Sequence, residues 1–188
     1  MEIILASASP RRRELLTTIV PQFSCTKPDF DESTVNITDA KRKALTLSRE
    51  KCKAVMGDYK GRDVVIISSD TVVDLDGQVL EKPVDEEDAY QMIKSLSDNV
   101  HMVHTAVSVY CRGIIYTFAD TTKVYVDKIP DDVIAAYVKT SEPYDKAGGY
   151  AIQGFMAGYI SKIHGNYHNV VGLPLAKLNK LLKNIKAI

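Results

Sequence analysis

The sequence predicts a domain of mixed strands and helices, α/β or α+β in class, and three stretches carry that expectation. Ile3-Ile4-Leu5 is an apolar run of one buried strand's length, and it passes through the small residues Ala6 to Ser9 into a helix opened by Pro10. Asp63-Val64-Val65-Ile66-Ile67 is apolar after its first residue, as a central strand covered on both faces would be. Around Arg112-Gly113 two runs oppose each other, with Val103, Thr105, Val107 and Val109 alternating on the first and Val124 and Val126 on the second. They are long for a hairpin, which predicts a curved, twisted antiparallel pair.

Taken in order, each element has a local cause. Pro10 suits a first helical turn, where its missing N–H costs nothing, and Ser9 is placed to cap the free amides. The helix's positive end then faces the carboxyl edge of the opening strand. Phe23 to Thr26 reads as a short strand, and Lys27 to Glu32 as a loop around Pro28. Ala40, Ala44, Leu47, Lys51 and Ala54 keep a helical period from about Thr38 to Met56, ended by Gly57. The central strand continues through Ser68-Ser69-Asp70-Thr71-Val72-Val73, and Asp76-Gly77 signals a hairpin to Gln78–Leu80. Asp85 to Asp88 make an acidic helix start, followed by the stripe Ala89, Met92, Ile93 and Leu96. Pro130 opens a helix carrying Val133, Ile134, Tyr137 and Val138. The stretch from Glu142 to Gly158 has no period and reads as a loop, Tyr159 to Ile163 as a strand, and Gly165-Asn166 as a turn. Pro174 begins a last helix with Leu175, Leu178, Leu181, Leu182 and Ile185 inward.

Composition limits the function. The chain has 188 residues, the size of a single domain over 1–188, with 24 basic and 24 acidic residues. No global field therefore recruits nucleic acid or an anionic membrane, and anion binding must come from local clustering. Three widely spaced cysteines, Cys25, Cys52 and Cys111, predict reduced thiols and a cytoplasmic home, without a disulfide framework or zinc pattern. The start runs straight into a strand, and no apolar run approaches the ~18 residues of a membrane span.

Arg11-Arg12-Arg13 at a helix N-terminus is anomalous, because cations there oppose the dipole unless an anion sits between them. The alternatives are a solvated basic turn and a phosphate site. Asp70, at the end of an apolar strand, stands where open sheets place ligands, or else caps the next turn. Asp31 and Glu32 lie in a loop able to return to that edge, where carboxylates beside arginines would hold Mg²⁺ or Mn²⁺. Lys51 and Lys82, taken singly, read as solvated lysines. Gln153 carries an amide able to read a base edge. His101 and His104 fall on opposite faces of their strand, and no zinc site, Walker A loop or nucleophile elbow is present.

These residues together resemble the Maf family. The likeness is carried by Leu5-Ala6-Ser7-Ala8-Ser9-Pro10-Arg11-Arg12, Asp31-Glu32, Ser69-Asp70-Thr71-Val72-Val73, Glu81-Lys82-Pro83, Glu142-Pro143 through Gln153-Gly154, Gly165-Asn166-Tyr167 and Asn169-Val170-Val171-Gly172-Leu173-Pro174-Leu175. The resemblance implies an α/β fold similar to the inosine triphosphatases, a mixed, curved β-sheet flanked by helices. It also implies a nucleoside triphosphate pyrophosphatase that releases a nucleoside monophosphate and pyrophosphate with a divalent cation, Mg²⁺ or Mn²⁺. Asp70 would be the proton acceptor, a metal ligand with Glu32, or both. Arg11, Thr71 and Gln153 match the positions that distinguish the branch acting on dTTP and UTP. Ser7, Arg12, Glu32, Lys51 and Lys82 match polar positions of the family's substrate site, and Arg13 has no counterpart. Members often form homodimers, although no interface stripe is legible here. A non-catalytic nucleotide-binding regulator is the alternative that the same site would serve.

Overall fold

A computed structural model describes residues 1–188 as one twisted mixed sheet with helices against it. The strands are β1 (Glu2–Ala6), β2 (Ser24–Cys25), β3 (Val64–Leu75), β4 (Gln78–Leu80), β5 (Asn99–Cys111), β6 (Ile114–Val126) and β7 (Ile160–His164). The helices are α1 (Pro10–Thr17), α2 (Ala40–Met56), α3 (Glu86–Leu96), α4 (Asp131–Tyr137), α5 (Tyr167–Val171) and α6 (Leu175–Asn184). Strand order is β2-β1-β3-β5-β6-β7, with β4 added to β3. β1 is parallel to β2 and β3, whereas along β3, β5, β6 and β7 each strand is antiparallel to the next. The long pair around Arg112-Gly113 is β5 and β6, thirteen residues each.

Local signals act as the sequence predicts. Ser9 is the N-cap of α1, Asp39 caps α2 and Asp85 caps α3, each side chain accepting from an amide three residues on. Asp76 (φ 52°) and Gly77 (φ 85°) form the tight turn that joins β3 to β4. One element escaped the sequence reading. Gly165-Asn166 does not merely turn the chain: Asn166 caps α5, its side chain accepting from Asn169 N at 3.1 Å.

β3 reads apolar, then polar, then apolar, and its packing follows. Val65 and Ile67 join a cluster with Leu16 of α1 and Leu178 and Leu182 of α6, while Val73 and Leu75 join one with α3, Tyr137 and Tyr150. Burying each large aliphatic side chain contributes about 1.5–3 kcal/mol. Between the clusters Ser68, Ser69 and Asp70 are buried too, at a cost, so they need partners. Ser68 donates to Ser48 O at 2.7 Å, and Ser69 lies 2.9 Å from Gly172 O and 3.0 Å from Ala106 O.

That polar stretch sits where the sheet forks. On one edge of β3, pairing with β1 ends at Ser68 and pairing with β4 begins at Val73. Ser69 to Val72 therefore have no strand beside them on that edge. β1 has left the sheet there to enter α1, and β4 has not yet returned. The gap is the mouth of the cleft described next.

Candidate active site

A cleft of about 940 Å³ opens at the fork, at the upper end of the range for small-molecule sites. It is lined by Ser7 to Arg12 from the β1–α1 turn, by Asp70 to Val73, and by Glu81-Lys82 after β4. Lys27, Pro28, Phe30, Glu32 and Ser33 contribute another wall with α2, and Asp145 to Ala147 and Tyr150 to Gln153 close the rim. Seven cations line it, Arg11, Arg12, Lys27, Lys43, Lys51, Lys82 and Lys146, against the four anions Glu32, Asp70, Glu81 and Asp145. In a chain of zero net charge this local surplus marks an anion site. The N-terminus of α1, with the positive end of the helix dipole, borders the same space, where Ser9, Pro10 and Arg11 line the cleft.

Consecutive residues of β3 face opposite ways, and this divides the site. Asp70 points to α2, where Lys51 Nζ donates to its Oδ1 and also lies 2.9 Å from Glu32 Oε1. Lys51 is thus no solvated lysine: its side chain is 12% exposed and bridges two carboxylates. Lys53, two residues on, instead pairs with Glu50. Thr71 points the other way and meets Arg12, whose Nη2 donates to Thr71 Oγ1 at 3.2 Å and whose Nε donates to Gly172 O at 3.0 Å. Ser7 is buried at the end of β1, its hydroxyl accepting from Ser9 N at 3.1 Å. Arg11 and Arg12 are half-buried, while Arg13 is exposed outside the cleft lining. Lys82 and Gln153 are exposed cleft residues with no side-chain partner in the protein.

The two carboxylates on Lys51 are pushed apart in acidity. Burial raises the pKa of Asp70, and the charges of Lys51 and Arg12 offset this only in part. Burial acts to raise Glu32 as well, but the hydrogen bond and charge of Lys51, with Lys82 and Arg12, outweigh it and hold Glu32 below its ordinary value. Such a pair gives one group suited to take a proton and one that stays an anion. Burial also lowers the Arg12 pKa from its usual value, a tendency that Asp70 opposes.

Both carboxylates reach a single ammonium, so their oxygens converge on one point at the cleft wall. Mg²⁺ commonly binds through one or two carboxylates, with waters and substrate phosphates completing its shell. The donor set fits that mode, though not an all-protein cage, since no group of three or more His, Cys, Asp or Glu side chains is present. Asp31 is not part of it: its carboxylate accepts from Ser33 N at 3.0 Å and Ser33 Oγ at 2.7 Å.

The segment after Glu142 has a packing role that its irregular sequence hid. Gly148 (φ 72°) donates its N–H to Glu81 O at 3.1 Å, and a Cβ there would lie 3.0 Å from Val73 Cγ2. Tyr150 is buried with its hydroxyl 2.5 Å from His101 Nε2. The loop is pinned from β3, β5 and α3, and it carries Gln153 to the rim. Lys27, Lys43 and Lys146 were not singled out by sequence reasoning, since a lone lysine in a loop or on a helix carries no signal. Lys43 pairs with Glu81, and Lys146 Nζ donates to Glu142 O at 2.7 Å.

The family model for Maf-like protein matches residues 2–185. A dTTP/UTP pyrophosphatase of Clostridium tetani is 43% identical over 188 residues, covering 98% of each chain. One of Carboxydothermus hydrogenoformans is 44% identical over 185 residues, 97% of this chain and 98% of that one. One of Vibrio cholerae is 42% identical over 181 residues, 96% of each. Among solved structures, the Ham1 protein of Staphylococcus aureus superposes with a TM-score of 0.52 at 15% identity, over 98% of this chain and 99% of that one. A HAM1 protein from Coxiella burnetii gives 0.53 at 9% identity with the same coverage. At such identities these two establish the fold, a mixed sheet flanked by helices.

Proposed function

The chain belongs to the Maf family, and on that premise we propose that it hydrolyses dTTP and UTP to the monophosphate and pyrophosphate, clearing nucleotide pools of pyrimidine triphosphates or modified forms of them. The observation that carries this reading is the union, at one fork in the sheet, of a surplus of cations with a buried carboxylate whose pKa is raised. The relatives that match over nearly the whole chain carry the same activity in their names.

The chemistry follows from charge. A triphosphate repels any nucleophile, so the site must neutralise its equatorial oxygens and the departing pyrophosphate. Arg12, Lys82 and the positive end of the α1 dipole supply that field, with Ser7 as a hydroxyl donor at the end of β1. Asp70, whose charged form Lys51 favours against the effect of burial, accepts a proton from water as it attacks. Arg11 and Gln153, on the rim, are placed to read the base. Asp70 and Glu32 would hold Mg²⁺ or Mn²⁺, whose chemistry is to neutralise phosphate charge and orient the chain of phosphates.

No helix is long and apolar enough to cross a membrane. A cytoplasmic site of action and a homodimeric assembly belong to the same proposal. The test is a panel of nucleoside triphosphates assayed for pyrophosphate release with Mg²⁺ or Mn²⁺. The expected result is preference for dTTP and UTP over purine triphosphates. Preference for a purine nucleotide would overturn the substrate assignment.

A further inference from the structure

Thr71, Thr105 and Asn169 form a chain of hydrogen bonds whose direction can be worked out. Thr105 Oγ1 donates to Asn169 O at 2.7 Å, an acceptor with no hydrogen to offer. A hydroxyl has one proton. In its 2.9 Å contact with Thr71 Oγ1, Thr105 must therefore accept, and Thr71 must donate. Thr71 Oγ1 is left with lone pairs only, and Arg12 Nη2–H fills one at 3.2 Å. The chain runs one way, from the guanidinium through two hydroxyls to the main chain of α5.

Its far end is rigid. Asn169 is 0% exposed, its Oδ1 accepts from Thr105 N at 3.1 Å, and its Nδ2 donates to Val103 O at 3.0 Å and Thr122 Oγ1 at 2.9 Å. Both amide hydrogens are used, so the carboxamide cannot flip without opposing two donors. The residue that ends α5 holds Arg12 a second time, Gly172 O accepting from Nε at 3.0 Å. Two of the five guanidinium N–H groups are thus tied into the protein. Three remain for the cleft that Arg12 lines, with the plane of the fork fixed.

We propose that Thr105 and Asn169 are positioning residues that set the guanidinium plane of Arg12 for the substrate's phosphates, and that Thr71 acts in the site through Arg12 and not by donating to the base. This rests on the triphosphate reading above. Thr71 has no hydroxyl proton to give a substrate, so its effect on turnover passes through the arginine it accepts from.

The experiment compares Thr105→Val, which keeps the shape and deletes the hydroxyl, in the wild-type protein and in an Arg12→Ala background. KM for dTTP and kcat are measured, together with Kd for inorganic tripolyphosphate by calorimetry. In the wild-type background KM and Kd should rise about tenfold with kcat changed less than about threefold, on the scale of one hydrogen bond lost from the chain that holds the guanidinium. In Arg12→Ala the same change should move them less than about twofold, since the group it orients is gone. Thr105→Ser should restore wild-type values. Equal losses in both backgrounds, an unchanged KM, or failure of the serine to rescue would overturn the proposal. Thr71→Val, at a half-buried position, applies the same test should Thr105→Val not fold. Tripolyphosphate affinity separates the two readings. A wild-type protein that does not turn over dTTP contradicts the function, whereas Arg12-dependent Kd shifts still support the positioning chain and their absence refutes it.

Discussion

Replacing Asp70 by asparagine separates chemistry from architecture. The substitution keeps the shape of a side chain at the centre of β3 and removes its ability to take a proton. A general base contributes about 10²–10⁴ in rate, so kcat should fall by that span, or about 2.7–5.4 kcal/mol of barrier. Stability should move the other way. Burial raises the pKa of Asp70, so over the window above the ordinary value of 3.8 the folded state binds more protons than the unfolded one. Stability from this group is full below that value and is lost as pH rises through the raised pKa. At pH 7, above that ordinary value, the buried carboxyl group is a standing cost that asparagine removes. Lys51 is not stranded, because Glu32 remains 2.9 Å away. The melting temperature at pH 7 should therefore equal or exceed that of the wild type, read by circular dichroism beside a pyrophosphate-release assay. Near-wild-type turnover would refute the role as base. Lost activity with a melting temperature several degrees lower would instead make Asp70 a structural anchor of β3.

Further expectations follow from single contacts. Gln153→Ala should leave the fold unchanged and narrow the preference for uracil and thymine nucleotides over other bases by about tenfold, the scale of one polar contact; an unchanged order of preference in the nucleotide panel would remove Gln153 from base reading. His101 is buried beside Tyr150 with its pKa pushed down to about 4, so the unfolded state gains its proton first as pH falls. Stability from this group should be lost between about pH 6.5 and 4, by up to about 3 kcal/mol, and urea titrations should show a flatter pH slope for His101→Gln in that window. Gly148→Ala forces an alanine to φ 72° with its Cβ 3.0 Å from Val73, so it should cost about 1–3 kcal/mol in denaturant unfolding.

Much of this was legible in the sequence for physical reasons. A strand of the form Val-Val-Ile-Ile, Ser-Ser-Asp-Thr, Val-Val exposes its meaning, because buried polar residues inside an apolar strand need either partners or a ligand. Pro10 after Ser9, the Asp76-Gly77 turn and the acidic start of α3 are local signals, and they set the elements that they predict. What stayed hidden is long-range. Lys51 looks like any helical lysine until α2 packs on β3 and brings it to Asp70. Asp31 and Glu32 are neighbours, yet only Glu32 turns inward, because Asp31 caps its own turn. Thr105 reads only as one position of an alternating strand and Asn169 only as the start of a family stretch, and neither shows that the two meet. α5 has five residues, too few to show a helical period, and the irregular loop from Glu142 takes its shape from Val73 and Pro83, far away in sequence.

Hydrolysis of a pyrimidine triphosphate between its α- and β-phosphates is read out by phosphorus NMR of the wild-type protein with dTTP and Mg²⁺. The expected spectrum shows dTMP and intact pyrophosphate accumulating in equal amounts. Formation of dTDP and orthophosphate, or dTTP that binds and persists unconverted, would contradict it.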